Sequence, residues 1–137
     1  MATATVLRLL PTATPSPATD DNHRKRMQVS KHTEHFATAP QLEPEHMTPI
    51  AQHGFHTVIN NRPDMEGGPD QPTSAQMQAA AEAAGLVYHY LPVVSGAYTP
   101  EQVTQMAALV NGAPGPVLAF CRSGARSTQL WMMGQQD

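Results

Sequence analysis

The chain carries one cysteine among its 137 residues. A single thiol forms no internal disulfide, so nothing calls for an oxidising compartment and a cytoplasmic location is expected. No apolar run approaches the roughly 18 residues of a membrane span. Near the start, Val6-Leu7 and Leu9-Leu10 are interrupted by Arg8 and followed by Pro11, too little for a signal-peptide core. Charged residues make up only 14%, the formal net charge is -3 and the pI is about 6.1. These values argue against nucleic acid or an anionic membrane as partner. A Gly-rich dinucleotide fingerprint and a P-loop lysine motif are both missing, and no cofactor is expected. There are seven histidines. His32 and His35 are three apart, but no second pair with metal spacing follows, so no metal site is expected.

Residues 1–26 differ from the rest. Pro, Thr and Ala dominate Pro11 to Thr19, and Asp20 to Arg26 is a charged polar run. Such a stretch buries too little apolar surface to offset its ordering entropy and is expected to be disordered. It has no acid before Asp20, as a targeting presequence would, but no amphipathic helical period either. An upstream extension with Met27 as the natural start is the preferred reading. One folded unit of roughly 110 residues, 27–137, remains.

Along that unit, short β-branched or apolar runs alternate with helix-forming segments. Phe55 to Asn60 reads as a strand that opens after Gly54 and closes at Asn61-Arg62-Pro63-Asp64. Glu43 to His53 has helical composition, with Pro49 placed to kink or shorten it. Thr33 to Thr38 reads as an edge strand. Ala75 to Ala84 is a helix capped by Thr73 or Ser74 and stopped by Gly85. Leu86 to Leu91 is a strand. Thr99-Pro100-Glu101-Gln102 carries a capping box and opens a helix ended by Asn111-Gly112. Pro116 to Phe120 is a strand and Arg126 to Gln135 the last helix, with Leu130 to Met133 as its apolar core stretch. The alternation predicts an α/β single domain with a mainly parallel central sheet flanked by helices. Ligands of such sheets sit outside the carboxyl ends of the strands. The loops after Asn60, Leu91 and Phe120 should meet there, which makes Arg62, Asp64, Glu66 and Ser95 site candidates.

The chemistry concentrates in Cys121-Arg122-Ser123-Gly124-Ala125-Arg126-Ser127. A strand delivers the thiol to a loop whose backbone N–H groups, over residues 122–126, can curl toward one point. The following helix adds the positive end of its dipole. A thiolate there is stabilised, and beside a bound oxyanion it is a nucleophile. The bland alternative is an inert buried cysteine. Arg126 is expected to clamp an anion with its planar fork. Arg122 either binds a second anionic group or is solvated. Ser123, Gly124 and Ala125 supply the loop backbone, Gly124 allowing the turn. Ser127 either donates to the thiolate as it leaves or merely starts the helix. Asp64 is the candidate acid or orienting carboxylate, with a plain turn aspartate as the alternative. Arg62 adds positive potential or pairs with Asp64.

Asn60-Asn61-Arg62-Pro63-Asp64, Gln71-Pro72, Gly85-Leu86-Val87-Tyr88, Leu91-Pro92-Val93, Gly115 to Ala119 and the Cys121 loop together resemble one bacterial family. It is the phosphatase-like domain of beta-lactamase hydrolase-like proteins, whose members are also labelled sulfurtransferases. The resemblance covers about residues 28–137. It implies a fold like that of dual-specificity tyrosine phosphatases. The family usually continues past the helix that begins at Arg126, so a chain ending at Asp137 is either a fragment or a minimal version.

Two departures matter. Tyrosine phosphatases place one residue more between the nucleophilic cysteine and the arginine. The four residues between Cys121 and Arg126 match rhodanese-type sulfurtransferases, which often read Cys-Arg-Ser-Gly. Phosphatases also carry a general-acid Asp on the loop after a strand like Leu86 to Leu91, and Pro92 to Gly96 has no acid. Three functions stand. The first is a cysteine-dependent phosphatase-like hydrolase with a covalent cysteine intermediate. The second is a sulfurtransferase carrying a persulfide on Cys121, and the third a non-catalytic anion-binding module. The expected partner is a small anionic substrate, a phosphate ester or a sulfane-sulfur donor.

Overall fold

The computed structural model describes residues 27–135. The stretch 1–26, expected to be disordered, lies outside the described residues. The chain opens with β1 (Ser30–Lys31), which turns back antiparallel onto β2 (Phe36–Ala39). A 3-10 turn, Pro44–His46, leads into α1 (Met47–Gln52). Then follow β3 (Thr57–Asn60), α2 (Ser74–Ala83), β4 (Val87–Tyr90), α3 (Pro100–Gly112), β5 (Val117–Phe120) and α4 (Ala125–Gly134). The strand order is β1-β2-β5-β3-β4, and every pairing except β1 with β2 is parallel. This is the α/β domain with a mainly parallel sheet that the alternation of strands and helices predicts. Among the described residues no helix is long and apolar enough to cross a membrane.

Local sequence explains the helices. Thr73 accepts the Gln76 N–H and the Gln76 side chain returns to the Thr73 N–H, closing a capping box on α2. Thr99 and Gln102 do the same for α3, with Pro100 at its first position. Gly85 follows α2 at φ +87°, a left-handed stop that side-chain-bearing residues avoid.

The strands β2, β3 and β5 are buried along their whole length. Helices cover both faces of the sheet, as parallel sheets require. In β5, Leu118 and Phe120 join the core under α1 and α2, built with Met47, Ile50, Met77 and Ala81. Val117 and Ala119 join the opposite core, with Met106 and Val110 from α3 and Leu130 from α4.

Three expectations need correction. The strand read over 33–38 is not an edge. It begins at Phe36, extends to Ala39 and lies between β1 and β5. A two-residue hairpin partner, too short to show a period of its own, takes the edge instead. The helix read over 43–53 divides into the 3-10 turn and a six-residue α1. Pro49 lies in the first turn of α1, where a missing N–H leaves no bond unmade. The last helix is only partly core along Leu130 to Met133. Leu130 is fully buried and Trp131 packs against the core, but Met132 is 48% exposed.

Leu118 has no exposed surface in the central strand. Leu118→Ala should lower stability by about 2–5 kcal/mol in urea unfolding. Val87→Thr, at a position 41% exposed on the sheet's outer strand, should change it by less than about 0.5 kcal/mol.

Candidate active site

The carboxyl ends of β5 and β3 lie side by side, because the two strands pair in register up to Asn60 and Phe120. Cys121 therefore leaves the sheet next to Asn61. It is fully buried and unpaired with any other cysteine. Its Sγ accepts the Gly124 N–H at 3.1 Å.

Gly124 caps α4 at φ +92°. A Cβ there would stand 3.3 Å from the backbone of Ala39. Both the dihedral and the close approach to β2 demand glycine. The loop is tied to the segment just after β2 by the Gln41 N–H, which donates to the Arg122 carbonyl at 3.1 Å. The expected convergence of every N–H over 122–126 is not complete. The Ala125 N–H donates to Ser123 Oγ at 3.2 Å. Arg122 and Ser123 are exposed.

Arg126 sits in the first turn of α4 and is only 8% exposed. Its Nη1 donates to Glu66 Oε2 and to the Val93 carbonyl, both at 3.0 Å, and its Nη2 donates to Glu66 Oε1 at 3.0 Å. A guanidinium has five N–H donors in a fixed fork. What these bonds leave is Nε–H and one Nη2–H, side by side on one edge. Among the described residues, Arg126 Nε is the one buried side-chain nitrogen or oxygen without a hydrogen-bond partner.

Glu66 is the hub of the site. Its Oε1 also accepts Arg62 Nε at 2.9 Å, and Arg62 Nη1 reaches Gln41 Oε1 at 3.0 Å. The hydrogen bonds from Arg126, and next those from Arg62, hold the Glu66 carboxyl below the ordinary carboxylate range despite its partial burial. Arg62 thus pairs with Glu66 and not with Asp64.

Asp64 faces elsewhere. Its Oδ1 accepts the Ser74 N–H at 2.7 Å, at the start of α2, and its own N–H donates to Tyr90 Oη at 2.8 Å. An acid at a helix N-terminus is favourable in its own right. Ser127 is fully buried and donates its single hydroxyl hydrogen to Asn61 Oδ1 at 2.8 Å, so that hydrogen is not directed to Cys121. Ser95 is exposed in the turn closed by the Ala97 N–H on the Val94 carbonyl.

Arg62 and Glu66 are thus brought to Arg126, whereas Asp64 is fastened to α2. The residues that sequence reasoning missed are Gln41, Asn61 and the Val93 carbonyl. Asn61 holds both the Leu91 carbonyl and Ser127, and its signal was a polar residue just past a buried strand. Gln41 and Val93 gave none, since strand order alone brings them near.

Residues 28–137 match the family model described as beta-lactamase hydrolase-like protein, phosphatase-like domain. The chain is 31% identical over 109 residues to a beta-lactamase hydrolase-like protein of Xylella fastidiosa, covering 80% of this chain and 25% of that protein. The chain thus spans about a quarter of the length of that curated relative. A candidate phosphatase from Neisseria meningitidis superposes with a TM-score of 0.69 at 39% identity, over 74% of this chain and 72% of that one. A DUF442 candidate phosphatase from Shewanella putrefaciens matches with a TM-score of 0.70 at 19% identity, over 88% of this chain and 75% of that one, a likeness of fold alone. The match over 28–137 and the shared α/β fold agree: the chain belongs to the family of the phosphatase-like domain of beta-lactamase hydrolase-like proteins.

Proposed function

We propose that this domain is a cysteine-dependent phosphatase-like hydrolase acting on a small phosphate ester. The observation that carries the reading is the unpartnered edge of Arg126, a buried cation with Nε without a partner, in the first turn of the helix that follows the Cys121 loop. A tetrahedral oxyanion takes two parallel N–H bonds from such an edge. Glu66 and the Val93 carbonyl hold the rest of the guanidinium, so the fork is oriented before any ligand arrives.

In the first step the Cys121 thiolate attacks phosphorus and the ester P–O bond breaks. The leaving oxygen takes the electron pair and a proton. In the second step water attacks the phosphocysteine, the S–P bond breaks, and inorganic phosphate and the thiolate are released. Arg126 and the Gly124 N–H offset negative charge on the way. Glu66 is a poor proton source, because two arginines keep it ionised. Asp64 is the proposed donor to the leaving group, a role in which its carboxyl gives up the bond to the Ser74 N–H at the start of α2 and turns toward Cys121. Arg122, Ser123, Ala125 and Ser127 shape the loop around the phosphoryl group, and Arg62 reaches the site through Glu66.

A second reading has its own support. The four-residue spacing and the absence of an acid between Pro92 and Gly96 suit a persulfide carrier. In that case the Cys121 thiolate takes the outer sulfur of thiosulfate with loss of sulfite, and cyanide removes it as thiocyanate. No general acid is needed.

Cys121→Ser should abolish hydrolysis of an aryl phosphate. Arg126→Lys should reduce it about 10²–10³-fold with unchanged circular dichroism, because a point charge does not replace the fork. Thiocyanate formation from thiosulfate and cyanide, with no ester hydrolysed by the wild type, would establish the second reading instead.

Asp64→Asn should slow an alkyl phosphate about 10²–10⁴-fold and an activated aryl phosphate far less, since the latter's leaving group needs little protonation. Equal losses on both esters would reduce Asp64 to its bond with α2.

Glu66 has a pKa lowered on folding from its ordinary 4.5. Its ion pairs therefore stabilise the fold fully above that value and fade as pH falls through the lower, folded one. The difference in urea midpoint between wild type and Glu66→Gln should be constant above pH 4.5 and shrink in more acidic buffer. A gap that widens on acidification would show that the pairs do not govern Glu66.

A further inference from the structure

A second hydrogen-bonded chain reaches the Cys121 loop from the side opposite Glu66. His32 Nε2 lies 2.9 Å from Thr38 Oγ1, which lies 2.9 Å from Thr128 Oγ1. Thr128 Oγ1 in turn donates to the Gly124 carbonyl at 2.9 Å. The chain joins β2 and the turn before it to the first turns of α4, residues 90 or more apart in sequence.

Counting hydrogens gives the chain a direction. A carbonyl only accepts, so the Thr128 hydroxyl hydrogen goes to Gly124. Each hydroxyl has one hydrogen. Thr128 must then accept from Thr38, and the Thr38 oxygen must accept from His32. Any other order leaves two oxygens 2.9 Å apart with no hydrogen between them. His32 therefore carries a proton on Nε2. That N–H also lies 3.4 Å from Thr128 Oγ1.

The ring is held in place for this. It packs against Trp131 at 5.5 Å and Phe36 at 5.8 Å between centroids, and those two rings stack on each other at 4.8 Å. A cavity of about 420 Å³, lined by Ser30, His32, Thr38, Ser123, Gly124 and Thr128 among others, opens beside the chain. His32 is exposed while Thr38 is buried. The donor thus enters the fold from its surface.

At the far end stands the peptide that needs holding. Glycine at φ +92° has little intrinsic preference for one peptide orientation. The Gly124 carbonyl is held twice, by Thr128 Oγ1 and by the Thr128 N–H at 3.1 Å. The same residue gives its N–H to Cys121 Sγ. A carbonyl turned toward the thiolate would repel both it and an anion.

We propose that His32 is a positioning residue. Its Nε2–H, relayed through the Thr38 and Thr128 hydroxyls, holds the Gly124 carbonyl away from Cys121 and so sets the anion affinity of the loop. This rests on the reading of Cys121 and Arg126 as an anion site.

The test uses inorganic phosphate as probe and protection of Cys121 from iodoacetamide as readout. His32→Phe keeps an aromatic ring and removes the donor. Phosphate affinity should fall about five- to tenfold, the size of one hydrogen bond. Thr38→Val should do the same. His32→Gln places an amide N–H near the position of Nε2 and should restore most of the affinity, as should Thr38→Ser. A packing role predicts the reverse, rescue by Phe and not by Gln. The Ala125 amide ¹⁵N shift reports the Gly124 peptide directly and should move in His32→Phe and return in His32→Gln. An unmoved shift, or equal affinity loss in Phe and Gln variants, would overturn the relay. A wild-type Cys121 that phosphate fails to protect would overturn the anion site, while the Ala125 shift would still decide the relay.

Discussion

Arg126 is a full positive charge with 8% of its surface exposed, and a buried charge is tolerated only with a partner of opposite sign and good geometry. Glu66 provides both, through two parallel bonds of 3.0 Å. Much of the functional end of the molecule is arranged to keep that carboxylate there. Arg62 braces it from the loop after β3, Gln41 braces Arg62 from the loop after β2, and the Val93 carbonyl takes the remaining Nη1 hydrogen after β4. Three loops that have little contact in sequence are thereby joined through one guanidinium. Removing Glu66 would leave the charge buried without its counter-ion and the fork held by the Val93 carbonyl alone.

The scaffold beneath is stiff for a simple reason. Strands β2, β3 and β5 place apolar side chains on both faces and are covered by helices on both. One-residue slippage would exchange the two cores, so the register of β5 against β3 is well specified. That register decides where Cys121 emerges. The loop behind it is then fixed from two directions. Gln41 holds the Arg122 carbonyl from the loop after β2, and Thr128 holds the Gly124 carbonyl from within α4. A thiol on such a loop keeps its orientation.

Much of this was legible in the chain. The capping boxes at Thr73 and Thr99 act over three residues, and the residues that form them are adjacent in the text of the sequence. The cysteine loop, its glycine and its arginine are likewise one local motif. Alternating strand and helix signals gave the fold class, and the family resemblance agreed. Less legible was anything carried by a weak or short segment. Ser30–Lys31 has two residues and no periodicity, so β2 was read as an edge. Asp64 and Glu66 lie two apart on one loop with equal claims as carboxylates. Only their partners separate them, Ser74 for one and two arginines for the other.

By itself, the sequence determined the kinds of elements, their caps, the Cys121 nucleophile candidate and the arginine beside it, because these depend on interactions between near neighbours. Tertiary structure decided the order of strands, and with it which residues surround that motif. Glu66 and Arg126 are 60 positions apart, and Thr38 and Thr128 are 90 apart. Contacts of that separation follow from which hydrophobic faces bury each other, a property of the whole chain that no local stretch contains. The motif supplied a thiol and a cation; packing supplied the carboxylate that orients the cation and the hydroxyl relay that holds the loop.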